Sequence, residues 1–304
     1  MSELLQKILD DCRPYTHNGR VASYIPELAK ADRSKLGIFV SLPNGEELSA
    51  GDYDCEFTIQ SVVKPIILLL ALEDNGSETI KKICGSEATG KPFDAFNYSD
   101  RALTSEHINP MINAGAIVLC TLIKGDNYED KFARLLSFTR RLADNPDLSV
   151  NEAVYLSEKS TGSKNRALAY MLKAYGMISG DIEEILDMYF KACSIGVSCR
   201  DLAKIAAVLA HHGTSPSGEE IVSGEHARHV NAIMTICGMY DGSGEFALKV
   251  GIPAKSGVGG GIMAVAPGRL GIGIFSPSLD EKGNSVAGIR ALESISRELK
   301  LNIF

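Results

Sequence analysis

Strand-like segments stand at both ends of this 304-residue chain and long helical blocks fill its middle, an order that restricts the fold more than any composition does. Gly37 to Leu42, a Pro43-Asn44-Gly45 turn and Glu47 to Ala50 read as a hairpin. After Ser243 short strand runs return at Phe246 to Val250, Ile252 to Ser256, Gly261 to Ala266 and Leu270 to Ser276, with Pro267-Gly268 as a tight turn. Between these ends the period is helical over Ile108 to Ile123, Asn127 to Leu142, Leu148 to Ser157, Asn165 to Tyr175, Ile182 to Ala192 and Arg200 to His211. Ser198 suits the cap of the last block and Asp201 its first turn. A final helix covers Ser285 to Leu299. The expected architecture is α/β of the α+β kind, in which first and last segments pair in one antiparallel sheet flanked by terminal helices, with an all-helical lobe inserted. This makes 1–304 a single composite domain, its sheet lobe drawn from 1–58 and 244–304 and its helical lobe from 59–243.

Hydrophobic residues make up 45% and charged residues 23%, which suits an ordered globular chain that buries about three quarters of its unfolded surface. Net charge is −7 and no Lys/Arg run occurs, so the electrostatic footprint of a nucleic-acid binder is missing. The seven cysteines are scattered and form no CxxC pair, as expected of free thiols in a reducing compartment. Met1 to Arg13 is acidic and amphipathic, unlike a secretory signal. No segment approaches the ~20 apolar residues a membrane span needs. These features together lead us to expect a cytoplasmic protein without nucleic-acid or membrane partners.

Ser61 stands three residues before Lys64, directly ahead of the apolar run Ile66 to Leu72. A spacing of three puts both side chains on one face of a helix, and the helix start favours a developing alkoxide. The pattern fits a serine nucleophile with a lysine base, but taken alone it favours an ordinary surface pair. Lys255-Ser256-Gly257 far downstream shifts the balance, because SxxK followed by a KTG-like tripeptide marks penicillin-recognising hydrolases. To take a proton near neutral pH, Lys64 must fall roughly three units below ~10.4. A tight cleft and Lys255 as a nearby cation are the sources expected. Pro65 is tolerated if Ser61 lies in the first turn. Gly257-Val258-Gly259-Gly260-Gly261 lacks the GKS/T or GxGxxG of a nucleotide loop. It reads either as a glycine bulge or as a close backbone approach in which the amides of Val258 and Ser61 form an oxyanion hole. His226 and His229 share a helix face without a third ligand, which points to a solvated face and no metal.

Several motifs in one order resemble the bacterial-type glutaminases, whose fold is serine β-lactamase-like. They are Gly19 to Leu28, Gln60 to Lys64, Asn109 to Ala116, Ser157-Glu158-Lys159 with Asn165-Arg166-Ala167, Tyr189 ahead of Cys193-Ser194, Met239-Tyr240-Asp241, and Lys255 to Gly261. The resemblance implies hydrolysis of L-glutamine to L-glutamate and ammonia through a γ-glutamyl ester on Ser61, with no cofactor. It implies that Lys64 accepts the serine proton, Tyr189 relays or orients it, and Lys255 sets a positive field. Glu158 would hold the substrate α-ammonium, with Asn113, Asn165 and Tyr240 in the carboxylate and amide network and Tyr24 and Gln60 among the substrate-binding positions. A homo-oligomer, dimer or tetramer, is implied as well. Two other readings share the scaffold: a β-lactam or D-alanyl peptide hydrolase, and a non-catalytic amino-acid sensor.

Overall fold

The computed structural model describes residues 2–88 and 104–304, so the part of the expected helical lobe from 89 to 103 lies outside the described residues. The chain opens with helix α1 (Ser2–Cys12), followed by the hairpin of β1 (Gly37–Ser41) and β2 (Glu47–Gly51). A short strand β3 (Phe57–Thr58) leads into helices α2 (Val63–Asn75) and α3 (Ser77–Ile83), then α4 (Asn113–Leu122), α5 (Tyr128–Ala143), α6 (Glu152–Thr161), α7 (Ser163–Ala174) and α8 (Ile182–Cys193). Strand β4 (Gly196–Val197) separates these from α9 (Cys199–Ala210), α10 (Gly224–Cys237) and α11 (Ser243–Lys249). Strands β5 (Ala254–Ser256), β6 (Gly261–Ala266) and β7 (Leu270–Phe275) and helix α12 (Val286–Leu299) complete the chain.

Among the described residues, five strands form one antiparallel sheet in the order β2-β1-β7-β6-β5, so the N-terminal hairpin does pair with the C-terminal strands. Side-chain alternation divides the core. Ile38, Val40, Ile262, Ala264, Ile272 and Ile274 pack with α1 and α12 on one face, whereas Phe39, Met263, Val265 and Phe275 join the core of the helical lobe on the other. The first layer works because α1 carries Leu5, Ile8, Leu9 and Cys12 on one stripe. In the second layer α9 lies directly on β7, at positions where the strand carries no side chains. A Cβ on Gly273 would meet the Cys199 carbonyl oxygen at 2.0 Å, and one on Gly271 would meet the Ala207 amide nitrogen at 2.2 Å.

The helix ends carry the caps that the residues suggest. Asn127, Asn151, Asp181 and Ser285 accept amide bonds at the starts of α5, α6, α8 and α12, and Ser198 with Asp201 forms a complete capping box on α9. Three expectations need correction. Phe246 to Val250 is not a strand but lies largely in α11, where Phe246 and Val250 face inward four residues apart and Leu248 is 85% exposed. The helix expected from Leu148 begins only at Glu152, because Val150 is held in an isolated bridge to Ile195. The one expected from Ile108 begins at Asn113, since the Asn109 side chain accepts from the Met111 amide and turns the chain there. The seven cysteines are unpaired. No helix among the described residues is long and apolar enough to cross a membrane.

The close contact of α9 with β7 makes a prediction. Gly273→Ala should cost about 1–3 kcal/mol or more by overpacking, read as a lowered thermal midpoint, while Gly244→Ala, whose added methyl meets nothing within 4 Å, should cost far less.

Candidate active site

The nucleophile candidate is placed by a small sheet between the two layers. Phe57 and Thr58 pair with Val197 and Gly196, and the Ile59 amide donates to the Ile195 carbonyl at 2.8 Å. The chain then turns through Gln60, a buried non-glycine residue with φ +48°, and a short 3₁₀ turn over Gln60–Val62 delivers Ser61 to the start of α2. Lys64 and Pro65 follow in the first turn of α2, where an amide has no intrahelical partner to lose.

Lys64 Nζ lies 2.6 Å from Ser61 Oγ and donates to Asn113 Oδ1 at 2.9 Å. The Tyr189 hydroxyl donates to the same Asn113 oxygen at 3.2 Å, and Asn113 Nδ2 donates to Asn165 Oδ1 at 2.9 Å. Asn113 is therefore a hub beside the lysine, at the first position of α4 and not in a helix interior. Tyr189 is linked to Lys64 by two hydrogen bonds through that shared oxygen.

The sheet supplies the other wall. Lys255 on β5 is fully buried, its Nζ 2.5 Å from the Ser256 carbonyl and 4.4 Å from the centre of the Tyr240 ring. The Tyr240 hydroxyl faces the Ser61 side chain and the backbone of Val258. Tyr240 also has a left-handed backbone, with φ +51°. Gly257 and Gly259 allow this approach, because a Cβ on either would come within 3 Å of the Ile59 or Thr58 carbonyl oxygen. The glycine run is the turn between β5 and β6, pressed against the segment that carries Ser61.

Burial pushes the Lys64 amine down to about 8, against a weaker upward pull from Cys193 and Glu158. Burial also holds Lys255 well below the ordinary lysine range, and repulsion from Lys64 adds to it. Glu158 is pushed up to about 8 by burial, with Lys64 opposing. Among the described residues its Oε2 meets no hydrogen-bond partner.

Ser61, Gln60, Asn113, Asn165, Glu158, Tyr189 and Tyr24 all line one cavity of ≈ 300 Å³. Lys64 and Tyr240 adjoin Ser61 from outside that lining, and Lys255 and Val258 stand beside Tyr240. The sequence reading missed two contributors to the wall, Cys193 and the break between α6 and α7 from Thr161 to Lys164. The polar run Ser160-Thr161-Gly162-Ser163-Lys164 was the available signal for the second. His226 and His229 do not line this cavity and are half-buried, not on a solvated face, with His226 Nδ1 2.6 Å from Glu73 Oε1. Among the described residues, no group of three His, Cys, Asp or Glu side chains could hold a metal ion.

The family model described as glutaminase matches residues 19–304. The chain belongs to the glutaminase family. It is 52% identical to the glutaminase of Clostridium tetani and 51% identical to that of Alkaliphilus oremlandii, matches that cover 99% or more of each chain. Among solved structures, it is similar to a Bacillus subtilis glutaminase in covalent complex with 5-oxo-L-norleucine, formed by reaction with 6-diazo-5-oxo-L-norleucine. That match has a TM-score of 0.91 and 36% identity over 100% of this chain and 99% of the other. A second Bacillus structure, solved in 4.3 M NaCl, gives a TM-score of 0.92 at 35% identity over 100% and 99%. The fold is the serine β-lactamase-like one.

The open oxygen of Glu158, buried with no bond among the described residues, makes this side chain a cost to folding stability. Because its folded pKa is raised, the penalty is absent below the ordinary carboxylate range and grows as pH rises toward 8. Glu158→Met should therefore stabilise the ligand-free protein, by about 1–4 kcal/mol at pH 8 and by less at pH 5, as read from thermal midpoints at the two pH values.

Proposed function

We propose that the chain hydrolyses L-glutamine to L-glutamate and ammonia as a serine–lysine amidohydrolase, with 1–304 acting as one catalytic domain. The observation that carries this reading is the 2.6 Å contact between Ser61 Oγ and a buried amine lowered to about 8, on the wall of a cavity that also presents Glu158 with an open oxygen.

With burial lowering the Lys64 amine to about 8, a neutral fraction is present at pH 7. In that fraction the Ser61 hydroxyl donates to Nζ, and Oγ attacks the γ-carboxamide carbonyl. The amides of Ser61 and Val258 receive the charge that develops on oxygen. The proton held by Lys64 is then available to the leaving nitrogen, and ammonia departs from a γ-glutamyl ester. Water attacks that ester with Lys64 again taking the proton, and glutamate leaves.

Of the two tyrosines, Tyr240 has its hydroxyl against Ser61 and is placed to share in proton movement, whereas Tyr189 orients Lys64 through Asn113. Burial and the Lys64 charge hold the Lys255 amine well below the ordinary lysine range, so it is not a fixed positive field, and it packs over the Tyr240 ring beside the site. At the other end of the substrate, the α-ammonium meets Glu158 and favours its ionised form. Asn165, Tyr24 and Gln60 border the same cavity as further substrate contacts.

A β-lactam or D-alanyl peptide hydrolase needs no clamp for an α-ammonium, so Glu158 with its open Oε2 favours an amino-acid substrate. An intact Ser61–Lys64 pair argues against a silent sensor. The proposal includes a cytoplasmic location and self-association as a dimer or tetramer. The exposed side chains of Leu248, Ile303 and Phe304, with the Ile303 amide bonded to the Gly251 carbonyl just after α11, support an apolar contact surface.

Purified protein should release ammonia from L-glutamine without added cofactor, and Ser61→Ala should lower kcat at least ~10⁴-fold with the fold intact. Because the neutral amine is the active form, kcat should rise with pH to a plateau along an apparent pKa near 8. A profile that falls across pH 7 to 9 contradicts Lys64 as base.

A further inference from the structure

The carboxylate assigned to the substrate ammonium is aimed by something outside the cavity. Glu158 Oε2 has no bond to hold it among the described residues, so its position depends on how α6 is set against its neighbours. On the outer side of that helix, Tyr155 and Lys159 lie four residues apart on one flank. Both donate to Asp187 Oδ1 on α8, in short contacts, and Lys191 lies 2.7 Å from Asp187 Oδ2. Burial pushes the Asp187 carboxyl up, but the bonds from Lys159, Lys191 and Tyr155 outweigh it and hold the group at about 2. Lys159 and Lys191 also stand 5.4 and 5.7 Å from the centre of the Tyr155 ring. One carboxylate thus fastens α6 to α8 at two points.

The same two helices carry the site. Glu158 precedes Lys159 and turns about 100° away from it, into the cavity. Tyr189 follows Asp187 by two residues, about 200° around α8, and also reaches the cavity. We propose that Asp187 is a positioning residue for recognition of the substrate α-ammonium: its bonds to Tyr155 and Lys159 fix the roll of α6 and so the aim of Glu158. The inference rests on the reading of Glu158 given above. Apart from Tyr189, which reaches Lys64 only through Asn113, the chemistry of Ser61 lies on other elements, α2 and the turns bearing Tyr240 and Val258, so loss of the clamp is felt in recognition more than in turnover. Arg166 separately ties the Lys159 carbonyl at 2.8 Å to Glu183 at 3.0 Å, which keeps α6 docked when Asp187 is changed.

The test measures calorimetric affinities for L-glutamate and for glutarate, which lacks the amino group, alongside ammonia release from L-glutamine. Asp187→Asn should cut the preference for L-glutamate over glutarate about ten-fold and raise KM by a similar factor, with kcat within two-fold of the parent. Tyr155→Phe, which deletes one of the two bonds, should move the same ratio in the same direction by a smaller factor. Arg141→Gln, which breaks an ion pair of the same lobe away from the cavity, should leave it unchanged. An unchanged preference in Asp187→Asn overturns the proposal, and so does a fall in kcat matching that in affinity. If Asp187→Asn does not fold, Tyr155→Phe decides by the same criterion. Failure of the parent to release ammonia counts against the glutaminase reading, whereas the affinity ratio is read without turnover.

Discussion

A lysine amine sealed from water and held 2.6 Å from a serine oxygen is the constraint around which this protein is organised. An amine in water keeps its proton at neutral pH and is useless as a base. Burial lowers it to about 8. Every other feature of the site keeps water from that amine, orients it, or brings a substrate to the hydroxyl beside it. Asn113 serves orientation, since its one oxygen accepts from both Lys64 and Tyr189 and its nitrogen is committed to Asn165.

Bringing this pair together requires backbone contacts closer than side chains permit. Gly257 and Gly259 press the β5–β6 turn onto the carbonyls of Ile59 and Thr58, and Gly271 and Gly273 let α9 rest on the sheet behind it. Two site residues, Gln60 and Tyr240, have left-handed backbones that cost a non-glycine residue free energy. Asp144 and Lys300, at the ends of α5 and α12, take the same conformation as ordinary helix caps. At Gln60 the surrounding bonds over-determine the turn, from the Ile59–Ile195 backbone pair on one side to the start of α2 on the other. The cost of these conformations is met by packing elsewhere in the chain, as expected where geometry serves chemistry.

Much of the layout was legible because local chemistry and global packing agree. The Asn-Gly hairpin, the strands at Gly261 and Leu270 and the Ser198–Asp201 capping box all follow from turn and cap residues that have few alternatives. At Phe246, Leu248 and Val250 the pattern misleads, because three apolar residues at alternate positions look like a strand while two of them also sit four apart on a helix. Tertiary packing chose the helix and left Leu248 in solvent. The serine and lysine showed themselves by spacing. Glu158 did not, since a carboxylate in a helical run has the same pattern whether it faces water or an empty cavity. Its value became evident only from the family motif and then from its burial. Asp187 gave no sequence signal at all, because its partners Tyr155 and Lys159 lie about thirty residues away on another helix.

The central claim is that Ser61 Oγ becomes covalently bonded to the γ-acyl group of glutamine. Rapid acid quenching of enzyme turning over L-glutamine, followed by peptide mass spectrometry, tests it most directly. A γ-glutamyl mass increment on the peptide containing Ser61, lost on incubation at alkaline pH, is the predicted result. Turnover with no such adduct at any quench time, or with the increment on another peptide, would contradict it.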